Sequence, residues 1–350
     1  VCTDDPKKKS KGVHSCIGCK SAKPPEPGRP REFSPGLIDP IQGAVVQREP
    51  GWAWRPDVRD QHVAALKEVV RLTDGIEAQH REGRGLLIVG GGKYWTGVVI
   101  ACKILREVGC KLPISVWYRG KSESIAARQV EGLDVSLTDA DAYVDSMPAH
   151  LRPAGPLTGW GAKAFAVMHC GFRHVIYQDA DAYWTVDPEP MLGLLDETPF
   201  AYWQDVACHV WGPYHGLKPD QVRDMPPAQS GQMLIDTVRF WRELTIVRWI
   251  DDRWNYFYPH GTEPRHFWHQ FGDQCGYDVA RIYTGIKTRR IGSALWKEAA
   301  GSFVYEHDGQ IVMVHRCGAK FIPGSTPRRD DSLPLESRAW ELFREVAGNA

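Results

Sequence analysis

The chain has 350 residues, 43% apolar and 25% charged, enough to bury a sizeable core in one large domain or two modest ones. Its 43 basic and 43 acidic side chains cancel, so no global field draws it to nucleic acid or an anionic membrane; such a partner needs a local patch. No apolar run reaches the roughly 18–20 residues that span a bilayer and no secretory core follows the start, so the expected location is the cytosol.

Residues 1–56 stand apart as a basic, Cys-containing and then Pro-rich arm, with eight Lys/Arg between 7 and 31 and little regular structure expected. Cys2, His14, Cys16 and Cys19 form part of a zinc pattern, in which Cys2 must fold back to complete the site. From Asp57 the pattern changes. Val63, Leu66, Val69, Val70, Leu72 and Ile76 recur at three-to-four spacing and predict an amphipathic helix on the outside of the main domain, which runs over 57–350. Next, Leu86–Val89 is a short apolar run stopped by three glycines. Val98, Ala101, Cys102, Leu105 and Val108 then share one helical face before ISVWY begins a second strand. This is a β-loop-α-β unit of the minimum length for a parallel crossover. GWGAKAFAVMHCGFRHVIYQDAD at 159–181 repeats the helix-then-strand order. The alternation predicts an α/β fold with a mostly parallel, Rossmann-like central sheet flanked by helices, and ligands beyond the carboxyl ends of its strands. The nine cysteines are an odd number. Cys102, Cys110, Cys170 and Cys208 lie singly in or beside apolar segments, which suits buried reduced thiols. Residues 200–300 are rich in Trp, Tyr and His; composition favours packing, with a groove for sugar rings or bases as the other reading.

The pentapeptide DADAY occurs twice, at 139–143 and 179–183. The second copy follows His174–Gln178, a run that reads as a buried strand, so Asp179 and Asp181 emerge at its end and share one side, with Ala180 pointing away. Two hard oxygen ligands facing one way suit Mg²⁺ or Mn²⁺ bridging to phosphate oxygens. A turn is expected over Trp184–Pro188. The first copy follows a weaker strand, and Asp139 reads more simply as a helix N-cap.

GGGKYW (90–95), GWGAKAFAVMHCGFRHVIYQDADAYWTVDPEPML (159–192), AQSGQMLID (228–236), FGDQ (271–274) and VHR (314–316) together resemble the α-mannosyltransferase family that extends fungal mannan, glycosyltransferase family 71. The likeness spans roughly residues 83–320. It implies a GT-A fold and a nucleotide-sugar donor, a UDP- or GDP-sugar, held through a divalent cation. By the resemblance, Asp179 and Asp181 touch the metal and diphosphate, and His315 is a third ligand. Gly90, Gly91, Gly92, Lys93 and Tyr94 receive the nucleotide, and Lys163 reaches the donor phosphates. Retention of anomeric configuration is implied as well, which makes no protein nucleophile obligatory. Gln178 departs from the family, which commonly has an apolar residue there, and this chain shows no membrane anchor. Asp205, Gln229, Gln232 and Asp273 are candidates around the sugar, with Asp273 chosen as acceptor-side base or orienting group.

Several of these residues have plainer readings: three glycines make a tight turn, Lys163 is a solvated helix residue, a single histidine is often structural, and an Asp after Gly closes a turn. The lysine of GGGKYW lacks the spacing of a phosphate-binding loop. A haloacid-dehalogenase phosphatase is disfavoured because Tyr183 stands where that motif has Thr or Val. The remaining rival is a zinc-containing nucleic-acid-binding protein without transferase activity. The lysines of the arm contact phosphates in that reading, and they also raise a hydroxymethylated DNA base as acceptor for the transferase, with a glycan or lipid-linked sugar as the alternative.

Overall fold

The structure, a computed structural model, describes residues 56–348 except 77, 79, 154, 156, 158, 206–214, 224, 254–272 and 326, together with two paired strands, β1 (Leu37–Ile38) and β2 (Val45–Val46). Cys2, His14, Cys16, Cys19 and Cys208 lie outside the described residues, as do Phe271 and Gly272 of the FGDQ motif.

Helix α1 (Pro56–Leu72) follows from the apolar spacing, burying Leu66 and Val69. Strand β3 (Glu82–Val89) then enters the core with Leu86, Leu87 and Ile88 fully buried, as a strand covered on both faces must. Helix α2 (Trp95–Glu107) returns the chain to β4 (Ile114–Tyr118), which pairs parallel to β3 with Leu86 opposite Ile114. β5 (Val135–Asp139) adds a parallel edge strand, and Asp139 ends it as the N-cap of α3 (Ala140–Ser146), accepting from the N–H groups of Asp141 and Ala142 at 2.9 and 3.2 Å. The first DADAY is therefore a helix start. Helix α4 (Gly161–His169) leads into β6 (Phe172–Asp179), parallel to β3 with Asp179 opposite Val89.

The rest of the sheet is assembled differently. It includes β7 (Ala182–Trp184), β8 (Phe200–Gln204), β9 (Ala228–Asp236), β10 (Arg289–Lys297), β11 (Ser302–His307) and β12 (Gln310–His315). The order across the ten strands is β5-β4-β3-β6-β9-β8-β10-β11-β12-β7. The expected α/β architecture is present, but the expectation of a mostly parallel sheet is corrected to a mixed one, because the later strands join antiparallel; its parallel part is the Rossmann-like block β5-β4-β3-β6 plus the pair β8–β10. β9 runs antiparallel to both neighbours, and β10, β11, β12 and β7 form an antiparallel extension. The turn expected over Trp184–Pro188 is corrected at its start: Trp184 closes β7, a strand too short to show a period of two.

Helices α5 (Pro219–Arg223), α6 (Trp241–Asp251), α7 (Gln274–Thr284) and α8 (Glu336–Gly348) complete the described elements. The aromatics of AYWQD are core residues. Tyr202 and Trp203 are buried, and the preceding Phe200 stacks on Phe240 at 4.7 Å and on Tyr277 at 5.8 Å, so packing explains this stretch. Cys102, Cys110 and Cys275 are buried and Cys170 is half-buried, and none of these four is in a disulfide. No helix among the described residues is long and apolar enough to cross a membrane.

Candidate metal and donor site

The site is built where β6 ends. Asp179 closes that strand, β7 starts at Ala182, and the chain bends over Ala180 and Asp181 between them. β7 pairs with β12 so that Ala182 lies opposite His315. This register brings Asp181 and His315 together: His315 Nε2 is 3.1 Å from Asp181 Oδ1 and 3.8 Å from Asp179 Oδ2. The backbone N–H of Arg316 donates to the Asp181 carbonyl at 2.8 Å and fixes the bend from the same side. One ligand atom from each of Asp179, Asp181 and His315 lies within 4.8 Å of the others.

Glycines let other elements come close. A Cβ on Gly231 of β9 would lie 2.9 Å from Asp179 Oδ2 and 3.1 Å from His315 Cε1. A Cβ on Gly97 of α2 would lie 2.4 Å from the Ala180 carbonyl oxygen, and one on Gly90 would lie 2.7 Å from Ala180 Cβ. The glycine turn and the first turn of α2 are thus pressed against the bend that separates the two carboxylates. Gly92 also has φ +54°, a conformation that disfavours a side chain. Within this turn Lys93 is exposed, and Tyr94 lies under the ammonium of Lys320, 5.5 Å from nitrogen to ring centroid.

Two lysines neutralise the carboxylates. Lys163 Nζ is 2.7 Å from Asp179 Oδ1 and 3.6 Å from Asp273 Oδ1, and Tyr177 donates to the same Asp179 oxygen at 2.8 Å. Burial works against the Lys163 charge, but Asp179 and Asp273 outweigh it and hold its pKa above the ordinary lysine value. Lys320 pairs with Asp181 Oδ2. Burial would raise the Asp181 pKa, yet His315 and Lys320 keep it well below the usual carboxylate range, so Asp181 is ionised. On the far side of the imidazole, Tyr305 Oη lies 3.3 Å from His315 Nδ1. Beside Asp181 the Nε2 edge donates to the carboxylate; to serve as a metal ligand the imidazole would carry its proton on Nδ1, next to Tyr305 Oη.

Other expected residues fall into different places. Asp273 is 1% exposed and directed inward at the start of α7, accepting from Ser230 Oγ at 3.0 Å. Burial, first of all, raises its pKa. Its expected acceptor-side position is corrected accordingly: the carboxylate lies behind Asp179 and holds Lys163. Lys163 in turn braces Asp179, with its ammonium taken up by two carboxylates. Asp205 accepts from Gln274 Nε2 at 2.6 Å and Gln229 Nε2 at 3.4 Å, while Gln229 Oε1 accepts from the Gly231 N–H at 3.2 Å, so these residues shape the wall under Gly231. Gln232 is also corrected. It pairs directly across from Gln178, and side chains alternate along a strand, so it occupies the sheet face opposite Asp179 and does not line the carboxylate pocket. Sequence reasoning missed Lys320, Tyr177, Ser230, Tyr305 and Gly231. Only Gly231 carried a local signal, since a glycine inside a strand marks a close approach.

Two carboxylates and an imidazole nitrogen form a donor set suited to Mn²⁺ or Mg²⁺, and the Gly231 cradle leaves space beside two of the three ligands. The fold and site thus define an α/β protein whose candidate metal centre stands at the end of a parallel strand, beside a glycine-rich turn. Residues 83–200 match the family described as putative mannosyltransferases, and over this stretch the resemblance drawn from the motifs is borne out. Two relatives are alpha-1,2-mannosyltransferases of Candida albicans. MNN24 is 29% identical over 102 residues, covering 29% of this chain and 14% of the relative. MNN23 is 22% identical over 136 residues, covering 38% and 22%. The chain therefore matches less than a quarter of the length of either. Similar solved structures include the galactosyltransferase LgtC with donor and acceptor sugar analogs, at 14% identity, 75% of this chain, 95% of that chain and TM-score 0.45. Another is the glycosyltransferase GlyE of Streptococcus pneumoniae, at 15% identity, 77% and 63% coverage and TM-score 0.44.

Proposed function

We propose that this protein is a divalent-metal-dependent glycosyltransferase that moves a sugar from a nucleotide-sugar donor to an acceptor hydroxyl. The observation that carries this reading is the convergence of Asp179, Asp181 and His315 with the ammonium of Lys320, at the end of β6 and next to the glycine turn. Asp179, Asp181 and His315 would hold Mn²⁺ or Mg²⁺. When bound, such an ion supplies a Lewis acid for the negative charge of a departing diphosphate. The chain's own part is electrostatic and positional. Lys163 and Tyr177 fix one carboxylate, Tyr305 fixes the imidazole, and Lys320 offers a second positive charge at the rim, its side chain 32% exposed where Lys163 is 13% exposed. Lys320 is thus the lysine placed to turn from Asp181 to a phosphate oxygen.

Retention of configuration is part of this reading. It is supported by the resemblance and by the engagement of Asp179 and Asp273 with Lys163 and of Asp181 with Lys320, which leaves these carboxylates serving as ligands and counter-ions. The acceptor in this reading is a sugar hydroxyl, supported by the names of the two matching relatives, both mannosyltransferases. The DNA acceptor has no support among the described residues. The lysines and the Cys2, His14, Cys16 and Cys19 pattern that suggested it lie outside them.

The test is a thermal-shift and donor-turnover panel of UDP- and GDP-sugars with and without Mn²⁺, on the parent and on Asp181→Asn. A ligand bound only by the native form raises its melting point. The parent should show a shift with one donor that needs Mn²⁺, with release of the nucleoside diphosphate; Asp181→Asn should lose both. Equal Mn²⁺-dependent shifts in the two proteins would refute the site.

A further inference from the structure

Behind the carboxylate bend, on the opposite face of the sheet, stand two fully buried glutamines. Gln178 and Gln232 face one another across the antiparallel pair β6–β9, each with no solvent exposure. Their neighbours on this face are Ile176, Leu234, Ala182, Trp184 and Trp203, an apolar cluster. Gln178 Nε2 donates to the backbone carbonyl of Ala182 at 3.0 Å. Gln178 Oε1 and both polar atoms of Gln232 are buried without a hydrogen-bond partner. A buried amide left unsatisfied costs free energy, whereas apolar groups of similar shape at both positions are close to neutral or stabilising. This pair is therefore a poor choice for stability alone. What Gln178 does accomplish is specific. Its side chain leaves the strand one residue before Asp179 and grips the carbonyl one residue after Asp181, closing the bend that carries both ligands.

Among the described residues, the bend is also held along its other side by the Arg316 N–H on the Asp181 carbonyl and by Ala182 opposite His315, and Gly90 and Gly97 pack against it. Without the Gln178 contact, the Ala182 carbonyl would lose its amide donor, and the bend would keep the Arg316 hydrogen bond and the β7–β12 pairing but lose this tie to β6. Asp179 ends β6 and Asp181 lies in the bend just before β7, so the course of that bend bears on the separation of their carboxylates.

We propose that Gln178 is a positioning residue for the carboxylate pair: by tying β6 to the start of β7, it sets the spacing at which Asp179 and Asp181 present their oxygens to a divalent cation. The proposal rests on the reading of these carboxylates as cation ligands. Gln232 enters as the neighbour that shares the polar burial and must be changed together with Gln178 when stability is to be separated from spacing.

The experiment uses the full chain and Mn²⁺ alone, titrated by calorimetry, with metal-free melting points measured in parallel. Gln178→Met and the double variant Gln178→Met/Gln232→Met are compared with the parent. Loss of a group that orients metal ligands typically weakens metal binding about 10- to 100-fold. The double variant should melt metal-free at or above the parent temperature and still bind Mn²⁺ at least tenfold more weakly, a split that a merely structural role would not produce. Parental Mn²⁺ affinity in a folded double variant, or a double variant that loses stability and affinity together, overturns the assignment. A parent that binds no Mn²⁺ at all removes the metal reading itself, and this proposal with it; the two failures are distinguished by the parent titration.

Discussion

Gly231 is the residue at which a single methyl group separates fold from site. Its backbone lies outside the positive-φ region, so alanine is allowed there, yet the added carbon would meet Asp179 Oδ2 at 2.9 Å and His315 Cε1 at 3.1 Å. Gly231→Ala should therefore keep the parental circular dichroism and melt within about 3 kcal/mol of the parent, the usual range for overpacking. Its Mn²⁺ affinity should drop at least about tenfold, because both ligands must move; unchanged affinity by calorimetry would show that the cation does not sit there. At this scale the sequence was informative about ligands and silent about their partners. Asp179 and Asp181 could be named because residue type and strand position limit what a carboxylate pair at a strand end does, whereas His315 was named through the family resemblance. Lys320 could not, since nothing local distinguishes a lysine five residues past a strand from a solvated one. Asp273 was named for the wrong contact. Its direction is set by Lys163 and Ser230, from segments far away in the chain.

Helix α4 shows how an element's surroundings overrule its own field. His169 occupies the last turn, where the helix dipole favours a positive imidazolium. Burial, with Arg81 and Arg248 nearby, instead pushes its pKa down to about 4. The unfolded chain, with an ordinary histidine near 6.5, takes up a proton that the native state refuses. This contribution to stability is therefore complete above about pH 6.5 and is lost as pH falls toward 4. His169→Leu should make unfolding less sensitive to pH in that window, by about 1 kcal/mol per pH unit after allowance for partial exposure, as read from urea midpoints at several pH values. Parallel stability–pH curves for variant and parent would contradict the assignment of a neutral buried His169. The helices and parallel strands were legible because apolar spacing at three-to-four residues and short apolar runs reflect one-sided and two-sided burial. β7 was not, since three residues carry no period and its identity comes from pairing with β12, more than a hundred residues later.

For the whole molecule, the α/β class followed from the alternation of helix and strand, but the antiparallel half of the sheet did not. In the order β9-β8-β10-β11-β12-β7, antiparallel except for the parallel pair β8–β10, the joins β6–β9, β8–β10 and β12–β7 link strands far apart in the chain, and hydrophobic pattern sets a strand's faces without choosing its neighbour. That antiparallel half is what completes the site, because it delivers Gly231, Tyr305, His315 and, just beyond β12, Lys320 to carboxylates supplied by the parallel half. The account thus stands on a cation held between two halves of one sheet. The most direct measurement is anomalous diffraction from a crystal of the full chain grown with Mn²⁺ and a nucleoside diphosphate. The predicted result is a manganese peak within coordination distance of Asp179, Asp181 and His315, with the diphosphate against it and Lys320 turned toward a phosphate oxygen. A diphosphate bound elsewhere, or no manganese between those three side chains, would contradict the account.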